Sequence, residues 1–572
     1  MRRVLQLALL IALATATATA QPAPLRVRLF WTRPPATIEL HAASPDTRLR
    51  PCPACPWSAI AQPVRIAASG DSFQLNGAAV AGPIDIEGAH RIVTPGVPLF
   101  LLAGPTHVQA KDGRLLITTE IPLEDYSARV LTGESGNFTA HESLKAMAVA
   151  VRTFAVRNRG RHVSDGFDLC DTTHCQDLRL AAPPERLVRA AVDTEGELLW
   201  YEGRPAALYY HRDCGGHTES AHEAWPGERF PYLLAQPDPY CASPSRPEWR
   251  AEIRKSDLAV ALRNEGIPAP QAIESVVVQR RTASGRASEL LLAGSGSVPV
   301  RASALRLAVG RQLGWTLLRS DQYAVRDNGN TLLFQGRGAG HGVGLCQTGA
   351  ARMGEAGKNY HDILAFYFPG TRAGITAQGL AWRGLGSARI ELLTTQPRED
   401  GFVVELADRL LRDAEARFGQ KARVRPQLRV YPSVEVYRDA TGQPGWMAAS
   451  TRGRVVRLQP VEMLRRRGTL EATLRHELLH VVVESHARSG LPLWFREGLV
   501  LYFSDPSPAP ASAPDAMNTA EIERILAAPR DLAELERAHA AARARVAALV
   551  QRSGIHQVTQ WVSQGLPQDV AK

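Results

Sequence analysis

The chain has 572 residues, more than one hydrophobic core accommodates, so we expect about two to four domains. Hydrophobic residues make up 45% and charged residues 22%, which excludes wholesale disorder. The formal net charge of +10 suits an anionic polymer such as a cell wall or envelope. We expect no nucleic-acid partner, because the arginines are scattered and form neither a basic block nor a patch interleaved with aromatic residues.

The N-terminus predicts a secretory signal peptide over residues 1–20. Arg2 and Arg3 precede an apolar run, 4–14, that is too short to span a bilayer. Ala18-Thr19-Ala20 then matches an A-x-A cleavage site. An uncleaved anchor is the alternative. We predict an exported protein of the periplasm, cell envelope or extracellular space, without a stable membrane span after signal cleavage.

Residues 25–120 predict short β segments, bounded by Gly, Pro, Asn and Asp. The pattern becomes helical over 121–160, with a strong amphipathic helix at 142–158. Mixed short elements follow to about residue 375, and 376–387 is predicted as a linker.

The chain restarts at residue 388 with a second set of elements. Residues 447–450 and 455–458 predict an edge strand that lines a peptide cleft. A Pro/Ala/Ser-rich loop is predicted over 506–513. The predicted helices are 402–418, 470–485 and 520 to the end, and the predicted strands are 390–393, 427–431, 434–437 and 454–458.

The cysteines suit an exported protein, in which disulfides form. Their odd count leaves at least one thiol unpaired or on a metal, and the sequence does not determine the connectivity. The seven are Cys52, Cys55, Cys170, Cys175, Cys214, Cys241 and Cys346.

Glu134 is the first candidate for catalysis. It lies between Gly133 and Gly136, after an apolar run and before a helix. The glycines predict a tight, accessible turn, where a carboxylate can meet a ligand. A solvated loop carboxylate is the alternative.

Residues 170–175 place two thiols and an imidazole within six positions, at Cys170, His174 and Cys175. This spacing is compact enough for a metal site, and a disulfide beside an uninvolved histidine is the alternative. Residues 211–216 are a source of further ligands, unless Cys214 pairs with Cys241.

A glycine-rich loop at 336–347 contains His341 and ends at Gln347. It lacks the strand–GxGxxG–helix order and the Lys-Ser/Thr pair of a phosphate-binding loop. We expect the glycines to let the backbone approach a long ligand, with His341 and Gln347 offering hydrogen bonds. A glycine-rich turn with a structural histidine is the alternative.

Together these segments resemble the stage II sporulation protein D family over about residues 25–375. The resemblance implies a peptidoglycan lytic transglycosylase or an amidase enhancer, with Glu134 as the catalytic glutamate. It also implies a structural zinc site at Cys170, His174 and Cys175. Two departures are Ser135-Gly136, where the family usually has Met-Pro, and Met147, where it usually has Gln. The segments are 121–126, 133–134, 144–146, 151–155, 170–176, 210–211, 214–219, 340–347 and 367–371.

A single carboxylate suffices for this chemistry, although ordinary glycosidases need two. The 6-hydroxyl of the sugar is the internal nucleophile, so proximity replaces the second carboxylate. A glutamate with a raised pKa protonates the glycosidic oxygen and then takes the hydroxyl proton. Lys145, Arg152, His341 and Gln347 are candidate substrate-binding residues, with helix-face salt bridges as the alternative for Lys145 and Arg152.

A separate motif, HExxH, stands at 476–480. On a helix it places His476 and His480 one turn apart, a separation that one Zn²⁺ bridges, and Glu477 beside the attacking water. Glu497, in the run Trp-Phe-Arg-Glu-Gly, supplies a third ligand. This part resembles the gluzincin metallopeptidases, especially peptidase MA-like domains. A degenerate domain that only binds wall peptide is the alternative, and His486 and Tyr502 are candidate transition-state stabilisers.

We therefore predict an α+β chain of two domains. A mixed α/β sporulation-protein-D-like module occupies 21–375, and a mostly helical zincin-like domain with a small sheet occupies 388–572. The predicted activities are glycan-strand cleavage by the first and zinc-dependent cleavage of a peptide or protein by the second, with an amidase as a further partner. The alternatives are a zinc protease with a glycan-binding module and a wall-binding, amidase-activating protein.

Overall fold

The computed structural model describes residues 24–44, 46–136, 138–225, 227, 229–242, 248–488, 490–504, 517–527, 529–567 and 570. The predicted signal peptide and the predicted loop at 506–513 lie outside the described residues. The chain divides into an N-terminal unit, Pro24–Ala381, and a C-terminal unit that begins at Trp382. Each unit has its own hydrophobic core.

The N-terminal unit contains most of the strands. They are β1 (Leu25–Leu29), β2 (Thr37–Ala42), β3 (Arg48–Arg50), β4 (Ser58–Ala59), β5 (Val64–Ser69), β6 (Ser72–Leu75), β7 (Ala78–Val80), β8 (Ile84–Glu87), β9 (His90–Thr94), β10 (Val97–Leu102), β11 (Thr106–Lys111), β12 (Arg114–Ile121), β13 (Leu169–Cys170), β14 (Leu198–Tyr201), β15 (Arg204–Pro205), β16 (Tyr210–His211), β17 (Trp249–Arg254), β18 (Ser275–Arg281), β19 (Ala287–Ala293), β20 (Ser297–Arg301), β21 (Tyr323–Asn328), β22 (Thr331–Gly336), β23 (Leu345–Cys346) and β24 (Arg372–Gly374).

The helices of this unit are α1 (Leu123–Glu134), α2 (His141–Arg157), α3 (Glu185–Asp193), α4 (Ala221–Ala224), α5 (Lys255–Asn264), α6 (Ala302–Gln312), α7 (Gln347–Glu355) and α8 (Tyr360–Tyr367). A short 3₁₀ helix spans Val163–Asp165.

Two large sheets form the first part of the N-terminal unit. One is seven-stranded, in the order β13-β1-β12-β11-β8-β3-β4, and the other is six-stranded, in the order β10-β9-β2-β5-β6-β7. Strand β12 shows why they form, since Leu115, Ile117, Thr119 and Ile121 are buried and alternate with more exposed residues. The β structure predicted for residues 25–120 is confirmed.

Helix α2 is the centre of the helical layer. It is buried on most sides and packs against α1, α3, α7 and α8. Gly354 of α7 approaches it so closely that an added Cβ would lie 2.0 Å from Ser143 Oγ. Because α1 and α7 both pack on α2, the end of α1 and the start of α7 are held in fixed positions.

A smaller part of the N-terminal unit, between Trp249 and Phe334, has a separate core. Strands β17, β22 and β21 form one three-stranded sheet there, and β18, β19 and β20 form another. Helices α5 and α6 pack against each other beside these sheets.

The C-terminal unit contains a five-stranded sheet in the order β25-β26-β27-β29-β28, so β28 is an edge strand as predicted. Strands β26, β27 and β29 are parallel, and β28 runs antiparallel to β29. Its elements are β25 (Arg383–Gly386), β26 (Glu391–Thr394), α9 (Pro397–Asp400), α10 (Val403–Phe418), β27 (Gln427–Val430), α11 (Val434–Thr441), β28 (Ala449–Arg452), β29 (Val455–Leu458), α12 (Val461–Arg466), α13 (Leu470–His486), α14 (Leu493–Ser504), α15 (Thr519–Ala527), α16 (Leu532–Ser553) and α17 (Ile555–Gln564).

Two sequence predictions need correction here. The strand predicted at 434–437 is wrong, because Ser433 accepts a hydrogen bond from the Val436 N–H and so caps helix α11. Residues 383–386, predicted as part of a linker, form β25, and Leu385 packs against the core of the C-terminal unit.

The structure confirms a mixed α+β chain, with helices and sheets in both units. No helix within the described part of the chain combines the length and apolar character needed to cross a bilayer.

Candidate active sites and metal centres

Glu134 is the last residue of helix α1, not a loop residue as predicted. Its Oε1 accepts a hydrogen bond from the Asp177 N–H at 3.2 Å, and its Oε2 accepts one from Gln347 Nε2 at 3.0 Å. Gly133 permits this arrangement, because an added Cβ would lie 2.2 Å from the carbonyl oxygen of Asp177. The glycine therefore serves close packing of two chain segments.

Burial raises the pKa of Glu134 above its ordinary value, and the nearby Asp177 carboxylate adds to the rise. The hydrogen bonds from the Asp177 N–H and Gln347 favour the charged form and oppose part of this rise. The side chain is half-buried, so it keeps access to solvent. A carboxyl group with a raised pKa and an open side fits the role of a general acid.

A polar network lies beside Glu134. The Tyr126 hydroxyl donates to Gln176 Oε1 at 3.0 Å, and Gln176 Nε2 donates to the Tyr210 hydroxyl at 2.9 Å. Burial raises the pKa of both tyrosines, and the charge of Glu134 contributes. These hydroxyls therefore stay protonated and act as fixed dipoles around the carboxylate.

Two of the three residues that depart from the family pattern, Ser135 and Met147, are buried. Ser135 is buried, and its hydroxyl donates to the carbonyl of Leu131 at 3.3 Å at the end of α1. Met147 is fully buried in α2. Both buried residues are compatible with the position of the Glu134 carboxyl group described above.

Of the predicted substrate-binding residues, the structure brings Gln347 to Glu134 and gives Lys145 and Arg152 other partners. Arg152 is fully buried, and its Nε donates to Glu124 Oε1 at 2.9 Å. Lys145 Nζ lies 2.9 Å from Glu142 Oε1 and 4.1 Å from the ring centroid of Tyr360. Both residues form the salt bridges of the alternative interpretation: the Arg152 pair joins α2 to α1, whereas the Lys145 pair lies within α2.

His341 has its own surroundings, away from the contacts of Glu134. Its Nδ1 accepts from the Val343 N–H at 3.1 Å, and its ring packs against Trp225 at 4.9 Å between centroids. Burial, together with the charges of His211, Arg306 and Arg286, holds the pKa of His341 well below its ordinary value. It lines a polar cavity of ≈ 360 Å³ as a neutral imidazole.

The glycines of the 336–347 loop allow close packing within the protein. A Cβ at Gly342 would lie 2.5 Å from the Arg286 guanidinium carbon, and one at Gly344 would lie 2.2 Å from the Tyr209 carbonyl oxygen. Both glycines also have positive φ angles, of 85° and 71°, which favour glycine. The approach of a long ligand to this loop stays a prediction.

A first metal-binding cluster, called here the Cys/His cluster, joins the predicted Cys170, His174 and Cys175 with His162. Its ligand atoms all lie within 4.8 Å of one another. Cys175 Sγ is 3.4 Å from His162 Nε2, and Cys170 Sγ is 3.6 Å from His174 Nδ1. The two cysteines form no disulfide in the structure. Two thiols and two imidazoles are a donor set that suits tetrahedral zinc.

The surroundings of the Cys/His cluster also suit zinc. A hydrogen bond from Cys175, with further ones from Thr172 and His174, lowers the pKa of Cys170 to about 4, while the same bond between the thiols and burial raise the pKa of Cys175. Cys170 is therefore the thiol of this pair that first becomes the thiolate a metal requires. The Asp165 carboxylate lies 3.5 Å from His162 Nδ1 and so orients the ring. Sequence reasoning missed His162, whose only signal is its place upstream of the motif.

A second cluster, the HExxH cluster, forms between helices α13 and α14. His476 Nε2 and His480 Nε2 are 3.2 Å apart, and Glu497 Oε2 lies 3.2 Å from His480 Nε2. Glu497 Oε1 is buried and lies 3.4 Å from His476 Nε2. Burial lowers the pKa of His480, yet the carboxylates, Glu497 first, raise it well above its ordinary value. Two imidazoles and a buried carboxylate whose ligand atoms converge are a donor set that suits a divalent cation, so the residues fit zinc.

Glu477 faces the edge strand of the sheet. The Thr451 hydroxyl, on β28, donates to Glu477 Oε2 at 2.6 Å. The predicted edge strand and the predicted general base therefore lie side by side, as a cleft for an extended peptide requires.

His539, on α16, is a further residue at this site that sequence reasoning missed. Its Nε2 is 3.3 Å from Glu497 Oε1, and its ring centroid is 6.3 Å from that of His476. Close packing brings α16 here, since a Cβ at Gly498 would lie 2.5 Å from the Ala542 carbonyl oxygen. His486 lies instead against Lys421, with its Nε2 2.8 Å from that carbonyl oxygen, and Tyr502 packs on Phe503.

Comparison with known proteins assigns the first of these sites to a family. The family model for stage II sporulation protein, SpoIID, matches residues 111–201, which contain Glu134 and the whole Cys/His cluster. An uncharacterized protein of Brachyspira hyodysenteriae is 31% identical over 258 residues, 45% of this chain and 67% of the relative. Residues 111–201 are a SpoIID family domain.

Two further relatives carry names. Stage II sporulation protein D of Bacillus amyloliquefaciens is 28% identical over 317 residues, 51% of this chain and 86% of that protein. The amidase enhancer of Bacillus subtilis is 27% identical over 275 residues, 40% of this chain and 37% of that protein. The SpoIID relationship thus extends beyond the matched segment of 111–201.

Proposed function

We propose that this chain is an exported cell-wall enzyme with two activities. The N-terminal unit cleaves peptidoglycan glycan strands by lytic transglycosylation, and the C-terminal unit is a zinc-dependent peptidase. The single observation that carries the first activity is Glu134, a half-buried carboxyl with a raised pKa that is held by Asp177 and Gln347. Membership of the SpoIID family and the name of the Bacillus amyloliquefaciens relative support the wall-related role.

Glu134 performs both proton transfers of the first reaction. Its protonated form donates to the glycosidic oxygen as that bond breaks. The resulting carboxylate then takes the proton of the sugar's 6-hydroxyl, whose oxygen bonds to the anomeric carbon and closes a 1,6-anhydro ring. Asp177 and Gln347 hold one carboxyl oxygen each, so they fix the orientation of the group through both steps.

The C-terminal unit supports the second activity through its donor set. His476, His480 and Glu497 would hold zinc, which supplies a Lewis acid for peptide-bond hydrolysis when bound. Glu477 takes a proton from the attacking water and passes it to the leaving amine. Thr451 orients that carboxylate through its hydroxyl.

His539 supplies an imidazole beside the proposed zinc ligand Glu497. Burial, the first cause, lowers its pKa, although Glu497 partly opposes the shift. The ring is therefore neutral near pH 7 and donates a hydrogen bond from one nitrogen. Such a donor beside the ligands can stabilise the oxyanion that forms on the scissile carbonyl.

A wall-binding protein that activates an amidase is the second candidate function, because one relative is named an amidase enhancer. A purely binding module needs no carboxyl group with a raised pKa, which favours the enzymatic proposal. A zinc protease whose N-terminal unit only binds glycan is the third.

The products of purified mature protein on glycan strands stripped of stem peptides distinguish these functions. Sugars ending in 1,6-anhydro rings, detected by mass spectrometry, support lytic transglycosylation, whereas ordinary reducing ends indicate hydrolysis. Binding without cleavage contradicts the first activity. Adding a purified wall amidase in a parallel reaction then shows whether the protein activates it.

A separate assay tests the second activity on peptides and a denatured protein. The Glu477→Gln variant should keep its zinc and lose cleavage, by about 10²–10⁴-fold for a general base. The Glu471→Gln variant, an exposed carboxylate on the same helix, is the matched control. Equal cleavage by Glu477→Gln and wild type would contradict the role of Glu477.

A further inference from the structure

Three further cysteines and an aspartate meet in the core of the N-terminal unit. Cys214, Asp238, Cys241 and Cys346 place their ligand atoms within 4.8 Å of one another. All four residues are fully buried. They come from segments far apart in sequence, so only the fold brings them together.

From this cluster we propose a second buried zinc site in the N-terminal unit, with Cys214, Cys241, Cys346 and Asp238 as its four ligands. Zinc bound to thiolates at about 2.3 Å in a tetrahedron requires ligand atoms about 3.8 Å apart. The four ligand atoms all lie within 4.8 Å of one another, and Cys214 Sγ is 3.3 Å from Asp238 Oδ2, so the distances are compatible with this value. The four donors close the coordination sphere, which is the arrangement of a structural rather than a catalytic site.

Cys346 accepts backbone hydrogen bonds of the kind that stabilise thiolate ligands. Cys346 Sγ accepts from the Cys214 N–H at 3.2 Å and from the Gly349 N–H at 3.4 Å. The second bond caps the N-terminus of α7, whose positive end favours a thiolate at this position. Backbone donors of this kind orient and stabilise metal-bound sulfur.

Hydrogen bonds also hold the Asp238 carboxylate in place. Its Oδ2 accepts from the Tyr367 hydroxyl at 2.9 Å, and its Oδ1 accepts from the Cys241 N–H at 2.9 Å. Cys214 Sγ lies 3.3 Å from Asp238 Oδ2. Gly349 leaves room for this group, since a Cβ there would lie 2.5 Å from Asp238 Oδ2. These contacts hold the Asp238 carboxylate beside the Cys214 thiol.

Charge balance also permits the site. Three thiolates, one carboxylate and Zn²⁺ leave a net negative charge, which would be costly in a dry interior without a counter-charge. Arg286 is buried nearby and donates from Nη2 to the Cys214 carbonyl oxygen at 2.7 Å. Its guanidinium and the positive end of α7 both offset the negative charge of the cluster.

A disulfide explains the cluster less well. Pairing Cys214 with Cys241, which the sequence leaves open, would leave the Cys346 thiol and the Asp238 carboxylate buried beside it. A four-ligand metal site uses every one of these groups. Binding releases the three thiol protons and involves no oxidant.

The proposed site is adjacent to the candidate active site. Gln347, which hydrogen-bonds Glu134, directly follows Cys346 at the start of α7. Zinc would thus fix the residue that orients Glu134, a consequence that rests on the proposed function. The metal site itself does not rest on it, and the test below measures metal and thiols rather than activity.

The experiment compares zinc per chain in the wild-type full chain and its Cys346→Ser variant by mass spectrometry of the metal. We expect the variant to lose one zinc equivalent. The double variant Cys52→Ser/Cys55→Ser, which removes the disulfide elsewhere in the unit, should lose none. Equal zinc content in wild type and Cys346→Ser would overturn the proposal.

A measurement on wild-type protein covers the case in which Cys346→Ser fails to fold. Alkylation without reductant, followed by peptide mass spectrometry, should find Cys214, Cys241 and Cys346 protected in the native protein and alkylated after a chelator is added. A peptide cross-linked between any two of them would overturn the proposal. So would alkylation that the chelator leaves unchanged.

Discussion

Gln347 Nε2 donates a hydrogen bond to Glu134 Oε2 at 3.0 Å, across a sequence separation of 213 residues. The bond joins the end of α1 to the start of α7, two helices that both pack on α2. It fixes one oxygen of the carboxyl group and leaves its pKa raised by burial. The candidate active site is therefore a product of helix packing, not of one local motif.

The Gln347→Ala variant should lower glycan cleavage about two- to tenfold, the effect of losing one hydrogen bond of about 0.5–1.5 kcal/mol. It should also raise the pKa of Glu134 further, because the lost bond favoured the charged form. The pH–rate profile should then extend to higher pH on the limb where Glu134 must be protonated. A Gln347→Glu variant gives a second comparison. An unchanged pH–rate profile in Gln347→Ala would contradict the hydrogen bond between Gln347 and Glu134.

The pKa of Glu134 also predicts how stability depends on pH. A carboxyl group with a raised pKa in the folded state destabilises that state once the pH exceeds the unfolded value, about 4.3. The penalty grows as pH rises through the folded pKa and is absent below the unfolded one. Glu134→Gln should therefore increase Tm relative to wild type at neutral pH and not at pH values below about 4. A Tm difference independent of pH would contradict the raised pKa.

Arg152 and Lys145 should differ sharply in their effect on stability. Truncating Arg152 leaves Glu124 without its buried partner, which costs about 3–5 kcal/mol. Lys145→Ala removes a partly exposed i,i+3 pair and a cation–π contact with Tyr360, together worth about 1–2 kcal/mol. Chemical denaturation followed by circular dichroism measures both. Similar losses of unfolding free energy in the two variants would contradict the expectation that the buried ion pair of Arg152 contributes more to stability.

Zinc in the Cys/His cluster should depend on His162 as much as on His174. Both imidazoles complete the donor set with Cys170 and Cys175. His162→Ala and His174→Ala should each lose one equivalent of zinc per chain and lower Tm, since binding stabilises the folded state. His107→Ala, at a partly exposed imidazole paired with Asp85, is the control and should retain the zinc. Full zinc content in His162→Ala would remove that residue from the ligand set.

At the HExxH cluster, alanine variants of His480 and His539 should distinguish a residue that binds zinc from one that acts only in peptide cleavage. His480→Ala should lose both zinc and peptide cleavage. His539→Ala should keep its zinc and lower kcat with little change in KM, by about 10²-fold for the loss of one transition-state donor. Loss of zinc in His539→Ala would instead make that residue a ligand.

Local patterns predicted much of the fold, because periodicity depends on neighbouring residues. The short strands of 25–120, helix α2 and the HExxH helix follow from alternation or a 3.6-residue period. The strand predicted at 434–437 failed because a short apolar alternation fits a helix turn as well as a strand. The cap at Ser433 decides between the two.

Candidate site residues could be proposed from the sequence only where they lie within recognisable motifs. Glu134, the HExxH residues and three members of the Cys/His cluster lie within recognisable motifs. His162 and His539 join those sites through tertiary packing, which a single sequence does not show. Arg152 was assigned to the substrate cleft because its burial against Glu124 is likewise invisible in sequence.

The measurement that tests the central claim most directly compares wild type, Glu134→Gln and Glu185→Gln on glycan strands stripped of stem peptides. Glu185 is an exposed glutamate of the same unit and serves as the matched control. We predict that Glu134→Gln forms 1,6-anhydro-terminated sugars about 10²–10⁴-fold more slowly than wild type, while Glu185→Gln equals wild type. Equal rates of formation by wild type and Glu134→Gln would contradict the assignment of Glu134 as the general acid and base.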